Sequence, residues 1–142
     1  MGKKKEATLF PETQEILAIL SKESPQDIVV VAIPSHDRKN KPLAEALVGE
    51  WASNAMQLLA DLYRGATAYK TFKGIFKTDE GHYLWDTPIL IEAYALIEAI
   101  QDPQRLNLLV EFAKRMGKTL DQASIMLVFG TVMYYIEDYS GV

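Results

Sequence analysis

Six consecutive apolar residues, Ile28-Val29-Val30-Val31-Ala32-Ile33, constrain this chain more than any other stretch. Most are β-branched, and polar and apolar positions do not alternate. Such a run reads as a strand from Asp27 to Pro34 with both faces covered. Pro34 ends it, because proline cannot donate to a ladder.

A second stretch, Thr87 to Ala95, reads as another buried strand, with one carboxylate in its middle. Ile89, Ile91 and Ala93 point to one face; Leu90, Glu92 and Tyr94 point to the other. An apolar strand that carries a glutamate needs a reason for it.

The remaining elements follow from spacing. Pro11 opens a short helix with Ile16, Leu17, Ile19 and Leu20 as its apolar side, stopped by Ser24-Pro25. Pro42 suits the first turn of a helix running to Tyr63, on which Ala44, Val48, Trp51, Ala55, Leu58, Leu59 and Leu62 recur at three-to-four spacing. Arg64-Gly65 closes it, with glycine suited to a left-handed cap. Ala66 to Lys77 alternates as a strand, and its three lysines suit a sheet edge. Thr78-Asp79-Glu80-Gly81 turns the chain back as a hairpin, and Pro88 marks a bulge or strand start. Ala95 to Gln101 is a helix start or a bent connection. Asp102-Pro103 opens a helix with Leu106, Leu109, Val110, Ala113 and Met116 as its stripe and Gly117 as its cap. Ala123 to Ile136 reads as one long strand with a bulge at Gly130.

The order strand, helix, strand, strand, helix, strand is the α+β ferredoxin-like split βαβ arrangement (βαββαβ). It predicts a four-stranded antiparallel sheet over residues 27–142, two helices on one face, and the first and third strands in the centre. Residues 1–26 form an N-terminal helical appendage. The first strand is apolar on both faces, and the last carries Ile125, Leu127 and Phe129 on one face and Met126, Val128 and Val132 near the other, so something covers the open face. Other subunits are favoured over the short N-terminal helix, which spans too little area.

With 142 residues the chain suits one domain, and a net charge of −4 disfavours a broad nucleic-acid surface. No cysteine is present, which removes disulfides, thiolate metal sites and cysteine nucleophiles. The start Met-Gly-Lys-Lys-Lys-Glu lacks the apolar segment of a signal peptide, and no apolar run reaches membrane-spanning length. The expectation is a cytoplasmic protein with no membrane or nucleic-acid partner, no metal and no cofactor.

The hairpin Lys73-Gly74-Ile75-Phe76-Lys77-Thr78-Asp79-Glu80-Gly81, the strand ending Leu90-Ile91-Glu92-Ala93-Tyr94 and the element order over residues 27–137 resemble the ring-forming ferredoxin-like bacterial proteins of the PII and CutA type. The long nucleotide-gripping loop of PII proteins is absent here. The resemblance implies a homo-oligomer, a trimer rather than a dimer, with clefts between subunits. Phage enzymes that cleave S-adenosylmethionine are similar in architecture and in having a carboxylate near such a cleft; no catalytic residue is carried across from them.

Glu92 and Tyr94 are the candidate catalytic pair, because a carboxylate on a central strand can act as a base or hold a ligand amine. Tyr69 is a candidate ligand contact from the neighbouring strand, able to stack or to donate its hydroxyl. His36 and Arg38, in a loop between a central strand and a helix, can gather an anion. The bland alternatives are a seam glutamate paired with a cation, interface tyrosines and a solvated connector. Asp79, Glu80, His82 and Asp86 read as turn residues, and Gln122 as a residue bonding a backbone edge. The expected function is binding of a small polar metabolite or nucleotide between subunits. A lyase or isomerase using Glu92 as general base, and an assembly protein without a ligand, remain alternatives.

Overall fold

The computed structural model describes residues 10–20 and 26–142. The N-terminal lysine run and the Ser24-Pro25 stop lie outside the described residues. In chain order the elements are α1 (Pro11–Ile19), β1 (Gln26–Ile33), α2 (Glu45–Tyr63), β2 (Thr67–Lys70), β3 (Gly74–Lys77), β4 (Tyr83–Asp86), β5 (Ile89–Leu96), α3 (Ile97–Ile100), α4 (Pro103–Thr119), β6 (Ile125–Phe129) and β7 (Val132–Ile136).

The apolar run does become the middle of a sheet. β1 is central in the order β2-β5-β1-β6-β7, and every pairing is antiparallel. The two strands expected in the centre, β1 and β5, are there. The sheet has five strands rather than four, because residues 123–136 do not form one bulged strand. They fold into the hairpin β6–β7 around Gly130-Thr131, where Gly130 takes φ +62°. Positive φ at the first loop position is what a tight two-residue hairpin with glycine there requires. The expected strand Ala66–Lys77 also divides. β2 pairs with β5, whereas β3 pairs only with β4 and makes a separate two-stranded arm. Pro88 sits at the joint, so β5 starts one residue later. Its carbonyl accepts from the Thr71 hydroxyl at 2.7 Å, which holds arm and sheet together.

One face of the sheet carries the core. Val29, Val31, Ile91, Ala93 and Leu127 are buried against Ala55 and Leu59 of α2 and Leu109, Ala113 and Met116 of α4. Burying a leucine or methionine of this kind contributes roughly 1.5–3 kcal/mol. Trp51 and Phe112 meet edge to face at 5.5 Å between the two helices.

Helix ends depart from expectation in three places. α2 begins at Glu45 because Pro42 is used elsewhere: it bridges His36, and Leu43 N–H donates to Ser35 O. Arg64, not Gly65, takes the left-handed cap of α2 at φ 74°. α4 runs past Gly117 to Thr119, and Gly117 is needed there for space, since the Tyr139 ring occupies the place of a Cβ. The N-cap at Asp102 stands as expected, its carboxylate accepting from Arg105 N–H at 3.1 Å. α1 buries none of its residues, so it does not cover the sheet.

Candidate functional site

Strand register sets what lies on the sheet face away from α2 and α4. Glu92 stands opposite Val30 on one side and Thr67 on the other. Tyr94 faces Ile28, Leu90 faces Ala32 and Tyr69, and Val30 faces Val128. Met126 and Val128 continue the face onto β7 through Tyr135 and Met133. Among the described strand residues of this face, Glu92 is the one charged side chain. Tyr69, Tyr94, Leu96, Met133 and Tyr135 are about half exposed in the single chain. A surface this apolar, with one carboxylate near its centre, is unusual for a free face.

The structure brings Glu92, Tyr94 and Tyr69 together. Tyr94 follows Glu92 by two residues, and Tyr69 lies diagonally across the β2–β5 ladder. The Glu92 charge raises the Tyr94 pKa above its usual value; lost hydration, hydrogen bonding to Glu92 and the nearby Tyr69 add to the shift. The site therefore keeps Tyr94 as a phenol able to donate a hydrogen bond beside an acceptor carboxylate.

His36 and Arg38 lie at the other end of the same face, along a cavity of about 530 Å³. Ala32, Pro34, Met126 and Tyr135 form its sheet side, and Phe76, Leu84, Trp85 and Asp86 of the arm form its roof. Ala32 is two residues along β1 from Val30, the residue opposite Glu92, so the near edge of the cavity is a diagonal neighbour of the Glu92 position. Ser35 ties the floor to the arm: its hydroxyl accepts from Thr87 N–H at 2.8 Å and shares a 2.7 Å hydrogen bond with His36 Nδ1. Asp37 folds the loop by accepting from the N–H groups of Lys41 and Lys39, which lowers its pKa, the Lys41 bond most.

Arg38 is already engaged by the protein. Its Nε pairs with Asp121 at 2.8 Å and its Nη2 donates to Gln122 O at 2.8 Å. Gln122 is the residue that sequence reasoning left without chemistry. It is buried, and its side-chain Nε2 donates to His36 O at 2.7 Å and to Leu120 O at 2.9 Å. With both amide hydrogens spent, Oε1 is left as a free acceptor, and Gln122 is among the residues that line the cavity. The available signal was a glutamine just ahead of an apolar strand; its partner His36 is 86 residues away.

The arm carries its own aromatic groups. Lys73 lies 5.0 Å over the Trp85 ring and Lys77 5.9 Å over the Tyr83 ring. Asp79, Glu80, His82 and Asp86 do not converge, and among the described residues no group of three or more acidic or histidine side chains could hold a metal. No helix of the described residues is long and apolar enough to cross a membrane.

Neither a protein-family model nor a curated protein matches the sequence. Two solved structures match the fold. A phage SAM lyase in complex with S-methyl-5′-thioadenosine superposes with a TM-score of 0.58 at 10% identity, over 87% of this chain and 98% of that one. A phage SAM lyase in the apo state gives 0.59 at 9% identity, over 84% and 95%. At such identities the likeness is one of fold: a mixed α+β chain with a mostly antiparallel sheet.

Proposed function

We propose that this chain is a homo-oligomer, a trimer on a ferredoxin-like core extended by β7, that binds an S-adenosyl sulfonium between subunits and cleaves it. The observation that carries the reading is Glu92, the one charged side chain among the described strand residues of an apolar sheet face, with Tyr94 and Tyr69 beside it. A sulfonium or ammonium cation suits that setting, because a carboxylate and aromatic faces both attract it. The cavity one step along the same face suits the nucleoside end, with Trp85 and Tyr135 for ring contact and Gln122 Oε1 to accept from an exocyclic amine. The SAM lyase folds likewise, and its complex holds S-methyl-5′-thioadenosine, the neutral thioether such a cleavage would leave.

In that reaction the C–S bonding pair departs with sulfur. The carbon next to the cleaved C–S bond gives up a proton, its C–H pair becoming the new C=C bond; Glu92 is the base in this reading, with Tyr94 donating to hold the carboxylate in position. His36 and Arg38 act in the wall of the nucleoside cavity, not as anion contacts of their own. Isothermal titration with S-methyl-5′-thioadenosine tests the reading. We expect saturable binding that survives Glu92→Gln, while turnover of S-adenosylmethionine falls at least about 100-fold, the scale of a lost general base. Equal turnover in the Glu92→Gln variant would remove Glu92 from the chemistry.

A further inference from the structure

The cavity wall at Gln122 is held by residues remote from it in sequence. Asp121 sits at φ +50°, a left-handed conformation that costs energy for a residue other than glycine. The turn is first of all the C-terminal cap of α4, in which the Gln122 N–H donates to Gly117 O at 2.9 Å and the Asp121 N–H to Lys118 O at 3.4 Å. Four further contacts come from Arg38 and Tyr139. Arg38 pairs with the Asp121 carboxylate at 2.8 Å, and its backbone N–H donates to Asp121 O at 2.8 Å. Gln122 O then accepts twice, from Arg38 Nη2 at 2.8 Å and from the Tyr139 hydroxyl at 2.9 Å. Tyr139 belongs to the segment after β7, which is itself fastened to α4. Its ring packs on Gly117, Lys114 Nζ donates to Ser140 O at 3.1 Å, and Lys118 Nζ donates to Val142 O at 2.8 Å.

We infer that Tyr139 and Arg38 are positioning residues for Gln122, so that the segment after β7 sets the ligand selectivity of the cavity. The two bonds on the Gln122 carbonyl, together with its N–H bond to Gly117 O, fix its backbone. A fixed backbone keeps Nε2 on His36 O and Leu120 O, and only then does Oε1 face the ligand as a pure acceptor. A ligand with a hydrogen-bond donor at that point is accepted; one with a carbonyl there meets two opposed oxygens and is rejected. With the Tyr139 hydroxyl gone, the cap bonds still hold the turn, but the Gln122 carbonyl keeps one of its two side-chain donors, its peptide plane loosens, and the side-chain amide becomes free to flip and serve either ligand.

The inference rests on the proposed adenosyl site, and its test separates the two. Wild-type protein and Tyr139→Phe are titrated with S-methyl-5′-thioadenosine and with S-methyl-5′-thioinosine, which replaces the amine by a carbonyl. The Gln122 side-chain amide signals are followed by nitrogen-15 NMR without ligand. We expect the preference for the adenosine compound to fall about tenfold in Tyr139→Phe, the scale of one hydrogen bond. The Gln122 amide protons should lose their protection from exchange. Arg38→Gln, which removes the other donor from a different element, should do the same if Tyr139→Phe folds poorly. An unchanged preference together with unchanged Gln122 protection overturns the inference. If neither compound binds the wild type, the functional reading falls, and the Gln122 signals alone decide whether Tyr139 holds the amide.

Discussion

Replacing Val30 by glutamate probes whether the apolar sheet face is covered by other subunits. Val30 lies opposite Glu92 in the β1–β5 ladder, so Val30→Glu sets two carboxylates side by side. Directly paired strand residues have Cβ atoms roughly 5 Å apart. At that distance two unit charges repel by about 0.8 kcal/mol in water and about 3 kcal/mol at the effective dielectric near a protein interior. In a free subunit the cost stays near the lower figure, because the face is wet. In a trimer that buries the face, three such pairs cost about 10 kcal/mol before the desolvation of each added charge. Sedimentation velocity should then show an oligomer for wild type and Val30→Gln, and a monomer for Val30→Glu. Circular dichroism should show the monomer still folded, since the core face is untouched. A Val30→Glu protein that sediments like wild type, or a wild type that is monomeric, would refute the reasoning.

Other consequences are more local. Tyr63 is buried with no hydrogen-bond partner for its hydroxyl among the described residues, so Tyr63→Phe should raise unfolding free energy by about 1 kcal/mol in urea melts. Tyr94 should ionise at a higher pH than an ordinary tyrosine, because ionising it places a negative charge beside Glu92. The folded state holds that proton more tightly than the unfolded chain. This contribution is therefore lost as pH rises above the ordinary tyrosine pKa toward the raised one. Ultraviolet titration of tyrosinate should move to lower pH in Glu92→Gln; an unmoved curve would mean that the two groups do not interact.

Local chemistry made much of this fold readable. The unbroken apolar run of β1 required a central strand, and Asp102-Pro103 required a helix start, because each signal is complete within a few residues. The face that Glu92 shares with Tyr94 followed from the period of two along a strand, whereas the approach of Tyr69 waited on the β2–β5 register. What escaped depended on distant partners. A glycine followed by threonine reads alike as a bulge or a hairpin loop, and only the pairing of β7 back onto β6 decides it. Gly117 reads as a helix cap until the Tyr139 ring is placed against it. Three polar residues, Thr71, Ser35 and Thr87, tie the arm to the sheet across long stretches of chain, and no spacing rule announces such a joint. Gln122 was hidden for the same reason, its role resting on the His36 carbonyl and on the clamp from Arg38 and Tyr139.

The most direct measurement is incubation of the purified protein with S-adenosylmethionine, followed by liquid chromatography and mass spectrometry of the small molecules. The account predicts that S-methyl-5′-thioadenosine accumulates faster than in a protein-free control, and that Glu92→Gln abolishes the excess. Accumulation no faster than the control, with no adenosyl compound retained by the protein, would contradict it.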